Sequence, residues 1–282
     1  MTALIVIIII IAVFFVLYLL SIRPYTKRRE VLAPFEACPV AHRGLFDNKE
    51  IPENSLPAFK RAVEYGFPIE LDVQLTSDDR LVVFHDASLK RMCGDVRKIY
   101  EVSYKELQEL TLLNTGEKIP LFEEVLEVIG GKVPLVMEIK PDGRYLQTAE
   151  YASRMLKTYK GTVCLESFHP MVLAWYKKND PAIPRGLLST NCFKEENDQP
   201  GIVKFLLTNL MLNCVAAPDF ISYNHHFKDQ FSYRLCRALY HPVNAAWTIR
   251  SQKELDEAAK TFSIFIFDSF MPERHIGYKE KK

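Results

Sequence analysis

The segment Ile69–Leu75 reads I-E-L-D-V-Q-L, and alternation along an extended strand puts Glu70, Asp72 and Gln74 on one face and Leu71, Val73 and Leu75 on the other. Two neighbouring carboxylates removed from water repel each other and lose solvation, so they need a proton or a cation between them. A hard divalent metal with oxygen ligands meets that need, and a solvent-facing or salt-bridged pair at a strand edge is the alternative. The segment V-P-L-V-M-E-I-K repeats the pattern and places Glu138 and Lys140 on one face. Glu138 can complete a three-carboxylate metal site. Lys140 can contact a phosphate oxygen as a point charge, or simply pair with Glu138. His42 closes the run A-H-R-G and His85 closes L-V-V-F-H-D. Imidazoles titrate near neutrality, so two of them on opposite sides of a substrate supply one acid and one base, although either alone is more often a structural or surface histidine. Beside His42, the Arg43 guanidinium has the fork geometry of a phosphodiester ligand, and Gly44 allows close backbone approach. Asp86 either orients His85 or ends a strand. His169, His225, His226, His241 and His275 match no such arrangement and read as surface or structural residues.

Side chains so spread along the chain need a scaffold that gathers strand ends. Apolar strand-like runs occur at Pro39–His42, Ile69–Leu75, Val133–Ile139, Val163–Phe168, Pro184–Leu188, Asp219–Tyr223, Val243–Trp247 and Ile264–Asp268. Between them, apolar residues three or four apart predict helices over Asn54–Tyr65, Leu121–Ile129, Gln147–Thr158, Met171–Lys177, Ile202–Leu212, Gln230–Ala238 and Gln252–Lys260. Repeated β-then-α order with eight strands is that of an α/β protein of the (β/α)8 TIM-barrel type, whose active sites lie at the C-terminal strand ends. No Gly-x-Gly-x-x-Gly turn supports a dinucleotide-binding sheet instead. Residues 76–132 exceed the repeat and, with a strand-like run Leu81–Phe84 and a short helix at Tyr104–Leu110, read as an excursion on the active-site side.

The ordered fragments A-H-R-G at 41–44, E-N-S at 53–55, E-L-D-V-Q-L-T-S-D at 70–78, V-V-F-H-D at 82–86, M-E-I-K at 137–140, S-F at 167–168 and A-W-T-I-R at 246–250 together resemble the glycerophosphodiester phosphodiesterase family, from about residue 39 to 272. The resemblance implies a (β/α)8 barrel that hydrolyses glycerophosphodiesters to glycerol 3-phosphate and an alcohol with one divalent ion, Mg²⁺, Ca²⁺ or Mn²⁺. It implies His42 and His85 as the acid/base pair, Glu70, Asp72 and Glu138 as metal ligands, and Arg43 and Lys140 as phosphate contacts. Glu53 takes the position of a supporting acid, and Phe168 and Trp247 those of aromatic residues at the pocket mouth, with core packing the alternative for Phe168. Ser55 stands where the family usually has Thr. The last strand, F-S-I-F-I-F-D-S-F-M-P, lacks the glycine turn expected ahead of Asp268. Related readings on the same barrel are a lysophospholipase D or phospholipase C-like enzyme acting on lipid, and a phosphodiester-binding module without catalysis.

The chain has 282 residues with 36 Lys plus Arg against 35 Asp plus Glu, a net charge of +1 that offers no clustered excess for wrapping nucleic acid. From Ala3 to Ile22 there is no charge, and at ~1.5 Å per residue that stretch spans ~30 Å, the thickness of a bilayer core. Arg23, Lys27, Arg28 and Arg29 follow at once. The expected organisation is a membrane anchor at 1–22, a basic juxtamembrane linker at 23–37, a catalytic barrel at 38–275 and a polar tail at 276–282. The basic flank predicts a single-pass protein with a cytoplasmic barrel, whose substrate is a small glycerophosphodiester or a lysophospholipid. Without the four basic residues the remainder carries 32 basic against 35 acidic groups, a net of −3. The six cysteines are widely spaced with no Cys-x-x-Cys pair, as expected of reduced, mostly buried thiols.

Overall fold

The computed structural model describes residues 2–195 and 199–273; His275 and the polar tail lie outside the described residues. Strands form wherever the sequence alternates or runs apolar: β1 (Val40–Ala41), β2 (Ile69–Leu75), β3 (Leu81–Val83), β4 (Leu135–Ile139), β5 (Val163–Ser167), β6 (Arg185–Ser189), β7 (Phe220–Asn224), β8 (Val243–Ile249) and β9 (Ile264–Phe267). The helices are α1 (Thr2–Ser21), α2 (Ala33–Glu36), α3 (Leu56–Glu64), α4 (Lys90–Cys93), α5 (Tyr104–Leu107), α6 (Phe122–Ile129), α7 (Tyr145–Leu156), α8 (Pro170–Asn179), α9 (Gly201–Thr208), α10 (Asn213–Ala216), α11 (Phe231–Tyr240) and α12 (Gln252–Ala258). Every strand pairing is parallel except that of β3, and β1 bonds to both β2 and β9, which closes eight parallel strands into the expected barrel. The ninth strand, β3, adds antiparallel to β2 with Val73 opposite Val83.

The expected helix Ile202–Leu212 ends early, α9 stopping at Thr208, and a separate short helix, α10, begins only past the expected end. Leu210 takes a left-handed φ of 56°, and the Asn209 side-chain amide donates to the Phe205 carbonyl, so the first helix is capped and the chain turns before the second. Residues 76–132 form the expected excursion, with its own small core of Val82, Phe84, Leu89, Met92, Ile99 and Leu107.

Alternation sorts the strand residues into two layers. Leu71, Val73, Met137, Ile139, Leu165 and their equivalents pack outward against the helices. Inside, the lower lumen is apolar, filled by Val40, Val136, Cys164, Phe220, Val243 and Ile266, and Leu32 and Phe35 close it from beneath. Phe220 fits because β6 offers Gly186 opposite; a Cβ there would meet the Phe220 ring at 2.2 Å. The upper lumen holds the charged residues. Residues 23–37 run under the strands' N-terminal ends: Tyr25 N–H donates to the Pro218 carbonyl, Arg28 forms a two-point ion pair with Asp219 (2.9 and 2.6 Å), and Ile22, Leu32 and Phe35 are fully buried. Of the six cysteines Cys38, Cys164, Cys192 and Cys236 are buried, Cys93 is half-buried and Cys214 is exposed.

Candidate active site

The strand register brings the acidic residues together, because Glu70 lies opposite Val136 and Asp72 opposite Glu138 across β2 and β4. One carboxylate oxygen from each of Glu70, Asp72 and Glu138 falls within 4.8 Å of the others, and all three residues are buried. Burial, reinforced by Asp72 and Glu138, pushes the Glu70 carboxyl well above the usual carboxylate range, and burial also raises Glu138. Burial opposes ionisation of Asp72 as well, but Lys140, His85 and Arg43 outweigh it and hold that carboxyl low. Asp72 Oδ1 is buried and has no hydrogen bond among the described residues. Three convergent, desolvated carboxylates with an oxygen left over are the donor set of a hard divalent cation, so the residues fit the ion.

Lys140 Nζ lies 2.9 Å from Glu138 Oε1 and 3.4 Å from Asp72 Oδ1, and these two acids keep the buried ammonium charged. Arg43 follows β1 in a left-handed conformation (φ 54°), with Gly44 behind it at φ 80° and close enough to α3 that a Cβ would meet the Ala58 backbone at 2.9 Å. That turn lets the Arg43 backbone N–H donate to Glu70 Oε2 (3.0 Å), while its guanidinium donates to Glu53 (2.6 Å) and its Nε lies 3.6 Å from Asp72. Glu53 is buried; against the cost of burial, Arg91 and Arg43 hold its carboxyl down at about 2.

Each histidine stands on a carboxylate. His42 Nδ1 lies 2.8 Å from Asp268 Oδ2, and His85 Nδ1 lies 2.7 Å from Asp86 Oδ1. With Nδ1–H donated to a carboxylate, Nε2 has a fixed direction, with a lone pair there in the neutral ring and a proton in the cation; His42 Nε2 lies 3.9 Å from Glu70. Burial, with Arg43 nearby, pushes the His42 imidazole down to about 4 despite Asp268, so it is neutral at neutral pH.

Both histidines, Arg43, Glu70, Glu138, Phe168 and Trp247 line one cavity of about 200 Å³ at the C-terminal ends of the strands. Phe168 and Trp247 meet edge to face at its wall, ring centroids 5.5 Å apart, and the buried Trp247 indole N–H has no hydrogen-bond partner among the described residues.

Four participants had no assignment from sequence. Asn54 donates to Asp72 Oδ2 (2.8 Å), leaving the other Asp72 oxygen for a ligand. Arg91, on α4 of the excursion, clamps Glu53 and Asp86 together through four hydrogen bonds of 2.6–2.9 Å, and nothing local in the sequence announces that. Asp268 directly follows β9 with the parity of Ile264 and Ile266, which would have pointed it into the lumen; Ser269 takes the left-handed turn beside it (φ 67°) and donates to it. Glu166 lies opposite Glu138 on β5, buried, and desolvation raises it to about 8. Its alternation with Cys164 and Phe168 was the available signal. Of the remaining histidines, His169 caps α8 and stacks on Tyr145 at 4.0 Å, and His225 stacks on His226.

Residues 42–264 match the model of the glycerophosphoryl diester phosphodiesterase family. A glycerophosphodiester phosphodiesterase of Caldanaerobacter subterraneus subsp. tengcongensis is 39% identical over 160 residues, 53% of this chain and 65% of that protein, and a lysophospholipase D of Rattus norvegicus is 28% identical over 186 residues, 61% of this chain and 52% of that one. The chain thus spans somewhat under two thirds of the bacterial relative. Among solved structures, a phosphodiesterase of Oleispira antarctica in complex with the product sn-glycerol-3-phosphate superposes with a TM-score of 0.66 at 24% identity, covering 84% of this chain and 95% of that one.

Proposed function

Because the chain belongs to the glycerophosphoryl diester phosphodiesterase family, we propose that it hydrolyses glycerophosphodiesters to glycerol 3-phosphate and an alcohol. The observation that carries this reading is the pair of imidazoles, each oriented through Nδ1 by its own carboxylate, facing one cavity with a three-carboxylate cluster and Arg43. His42, held neutral by burial, takes the proton of the attacking oxygen through Nε2, and Asp268 stabilises the imidazolium that results. His85 enters the step as the imidazolium, its Nδ1–H held by Asp86, and gives its Nε2 proton to the departing alkoxide on the other side of the phosphorus. Glu70, Asp72 and Glu138 hold one divalent ion, Mg²⁺, Ca²⁺ or Mn²⁺, which when bound supplies charge stabilisation at the phosphoryl oxygens. Arg43 and Lys140, freed from part of their carboxylate pairing when substrate enters, contact the non-bridging oxygens. Glu53 fixes Arg43, and Phe168 with Trp247 walls the glycerol or alcohol side. The product held by the Oleispira enzyme supports the choice of substrate.

The same reading includes α1 as a bilayer span, with the basic residues that follow it and the barrel on the cytoplasmic side. The mammalian relative named a lysophospholipase D makes a lysophospholipid the second candidate substrate. Incubating the full chain with glycerophosphocholine, glycerophosphoethanolamine, glycerophosphoglycerol and a lysophospholipid, each with Mg²⁺, Ca²⁺, Mn²⁺ or a chelator, tests the proposal. Metal-dependent release of glycerol 3-phosphate is the expected result. Cleavage of the lysolipid alone selects the second substrate, and no cleavage of any substrate reduces the protein to a binding module.

A further inference from the structure

The way α1 meets the barrel fixes which pole of the barrel lies on the anchor's side. The Tyr18 hydroxyl donates to Ser232 Oγ (2.8 Å) in the first turn of α11, at the level of the active-site pole. One turn on, the Ile22 carbonyl accepts from Asn213 on α10 and Cys236 in the middle of α11. Tyr25 then bonds to Pro218, just ahead of β7 at the opposite pole. Tyr240, from the far end of α11, reaches back to the Leu19 carbonyl, as helix side chains leaning toward the N-terminus do. The chain therefore descends from mouth to floor between Tyr18 and Tyr25, and the exposed residues Thr2–Leu17 extend from the mouth side.

The rim on that side is apolar where it adjoins α1. In the consecutive sectors following β5, β6 and β7, Met171, Phe193, Ile202, Phe205 and Phe231 are all exposed, Ile202 and Phe231 by 67% and 68%. The whole of α9, G-I-V-K-F-L-L-T, has a single charge. The outward faces of α3 and α6 are charged instead, with Lys60, Arg61 and Glu64 on α3 and Glu123, Glu124 and Glu127 on α6, and the other exposed apolar residues of the barrel, such as Val96, Leu146 and Met271, are scattered one to a sector. Five exposed apolar side chains level with the end of an apolar helix, with Lys194 and Lys204 among them, suit one occupant, the lipid surface that holds that helix.

We propose that the mouth of the barrel faces the bilayer, the β5–β7 rim seated among the lipid headgroups, so that the site draws its phosphodiester from the membrane surface. This rests on α1 as a membrane span. The test places a nitroxide at Ile202→Cys, Phe231→Cys, Tyr65→Cys or Val13→Cys in the full chain carrying Cys93→Ser and Cys214→Ser, reconstituted in phosphatidylcholine/phosphatidylglycerol vesicles. Tyr65 is exposed at the floor pole and Val13 lies in α1. Labels at 202 and 231 should be shielded from a water-soluble nickel chelate like the one at 13, while the one at 65 stays accessible. Labels at 202 and 231 as accessible as the one at 65, with 13 shielded, overturn the orientation and leave the anchor standing; an accessible label at 13 removes the anchor and this inference together. The triple variant Ile202→Ser/Phe205→Ser/Phe231→Ser should lose roughly tenfold in turnover of vesicle-held lysophosphatidylcholine. Its hydrolysis of soluble glycerophosphocholine should be unchanged, and an equal loss on both substrates counts against the rim as a lipid contact.

Discussion

The two imidazoles differ in surroundings although each leans on a carboxylate. His42 is desolvated and beside Arg43, which disfavours its cation, while its Asp268 partner favours the cation once a proton arrives. That combination is suited to a base that must be neutral beforehand and charged only in the transition state. His42→Ala and His85→Ala should each lower kcat by ~10²-fold or more with little change in Tm. Wild-type turnover in a folded His42→Ala protein would remove it from the mechanism. Glu166 adds a fourth acid to the lumen, where protons would compete with the proposed cation. Its folded value is about 8 against an ordinary 4.5, so in metal-free protein its contribution to stability is fully present below pH 4.5 and lost as pH rises through 8. His42 runs the other way, from an ordinary 6.5 to about 4, so its contribution is lost as pH falls across that interval. Chelated protein should thus lose Tm toward both ends, and added Mg²⁺ should raise Tm more at pH 8 than at pH 6, where protons still occupy the acids. Glu166→Gln should flatten that difference in calorimetric titrations at the two pH values.

At the scale of elements, short connections do more positioning than the strands themselves. The β1–α3 turn needs left-handed backbone at Arg43 and Gly44, and Gly44 also lies against the Ala58 backbone. Gly44→Ala therefore meets strain and a clash together and should cost about 1–3 kcal/mol, read as a lower Tm, with activity falling because the Arg43 N–H leaves Glu70. The excursion contributes through Arg91 alone among its charged residues to both Glu53 and Asp86, so a segment outside the βα repeat ties the acid that holds Arg43 to the acid that holds His85.

For the molecule as a whole, the approach from α1 to the barrel is part of the fold. Ile22 is buried, and removing Arg28 takes two charge-assisted hydrogen bonds from the buried Asp219 carboxylate, which among the described residues keeps only the Arg185 backbone N–H at 3.0 Å and the Arg185 guanidinium at 3.8 Å. A chain beginning at Tyr18 should keep the Tm of the full protein, whereas one beginning at Glu30 should lose on the order of 3–5 kcal/mol. Equal denaturation midpoints for the two truncations would show that residues 18–29 do not stabilise the barrel.

Much of this arrangement was legible in one dimension. Strand alternation assigned Glu70, Asp72, Glu138 and Lys140 to one interior, helix periodicity marked the layer around it, and twenty uncharged residues announced α1, because these patterns depend only on neighbours along the chain. What closes the site comes from distances no local pattern encodes. Asp268 reaches His42 across 226 residues of sequence, Arg91 reaches Glu53 across 38, and Asn54 and Glu166 matter only because closure of the barrel brings β1, β2, β4, β5 and β9 around one axis. The side of the barrel from which α1 extends is also a tertiary result, since composition gives the helix its length and only the packing of Tyr18 and Ile22 against α10 and α11 gives it a direction.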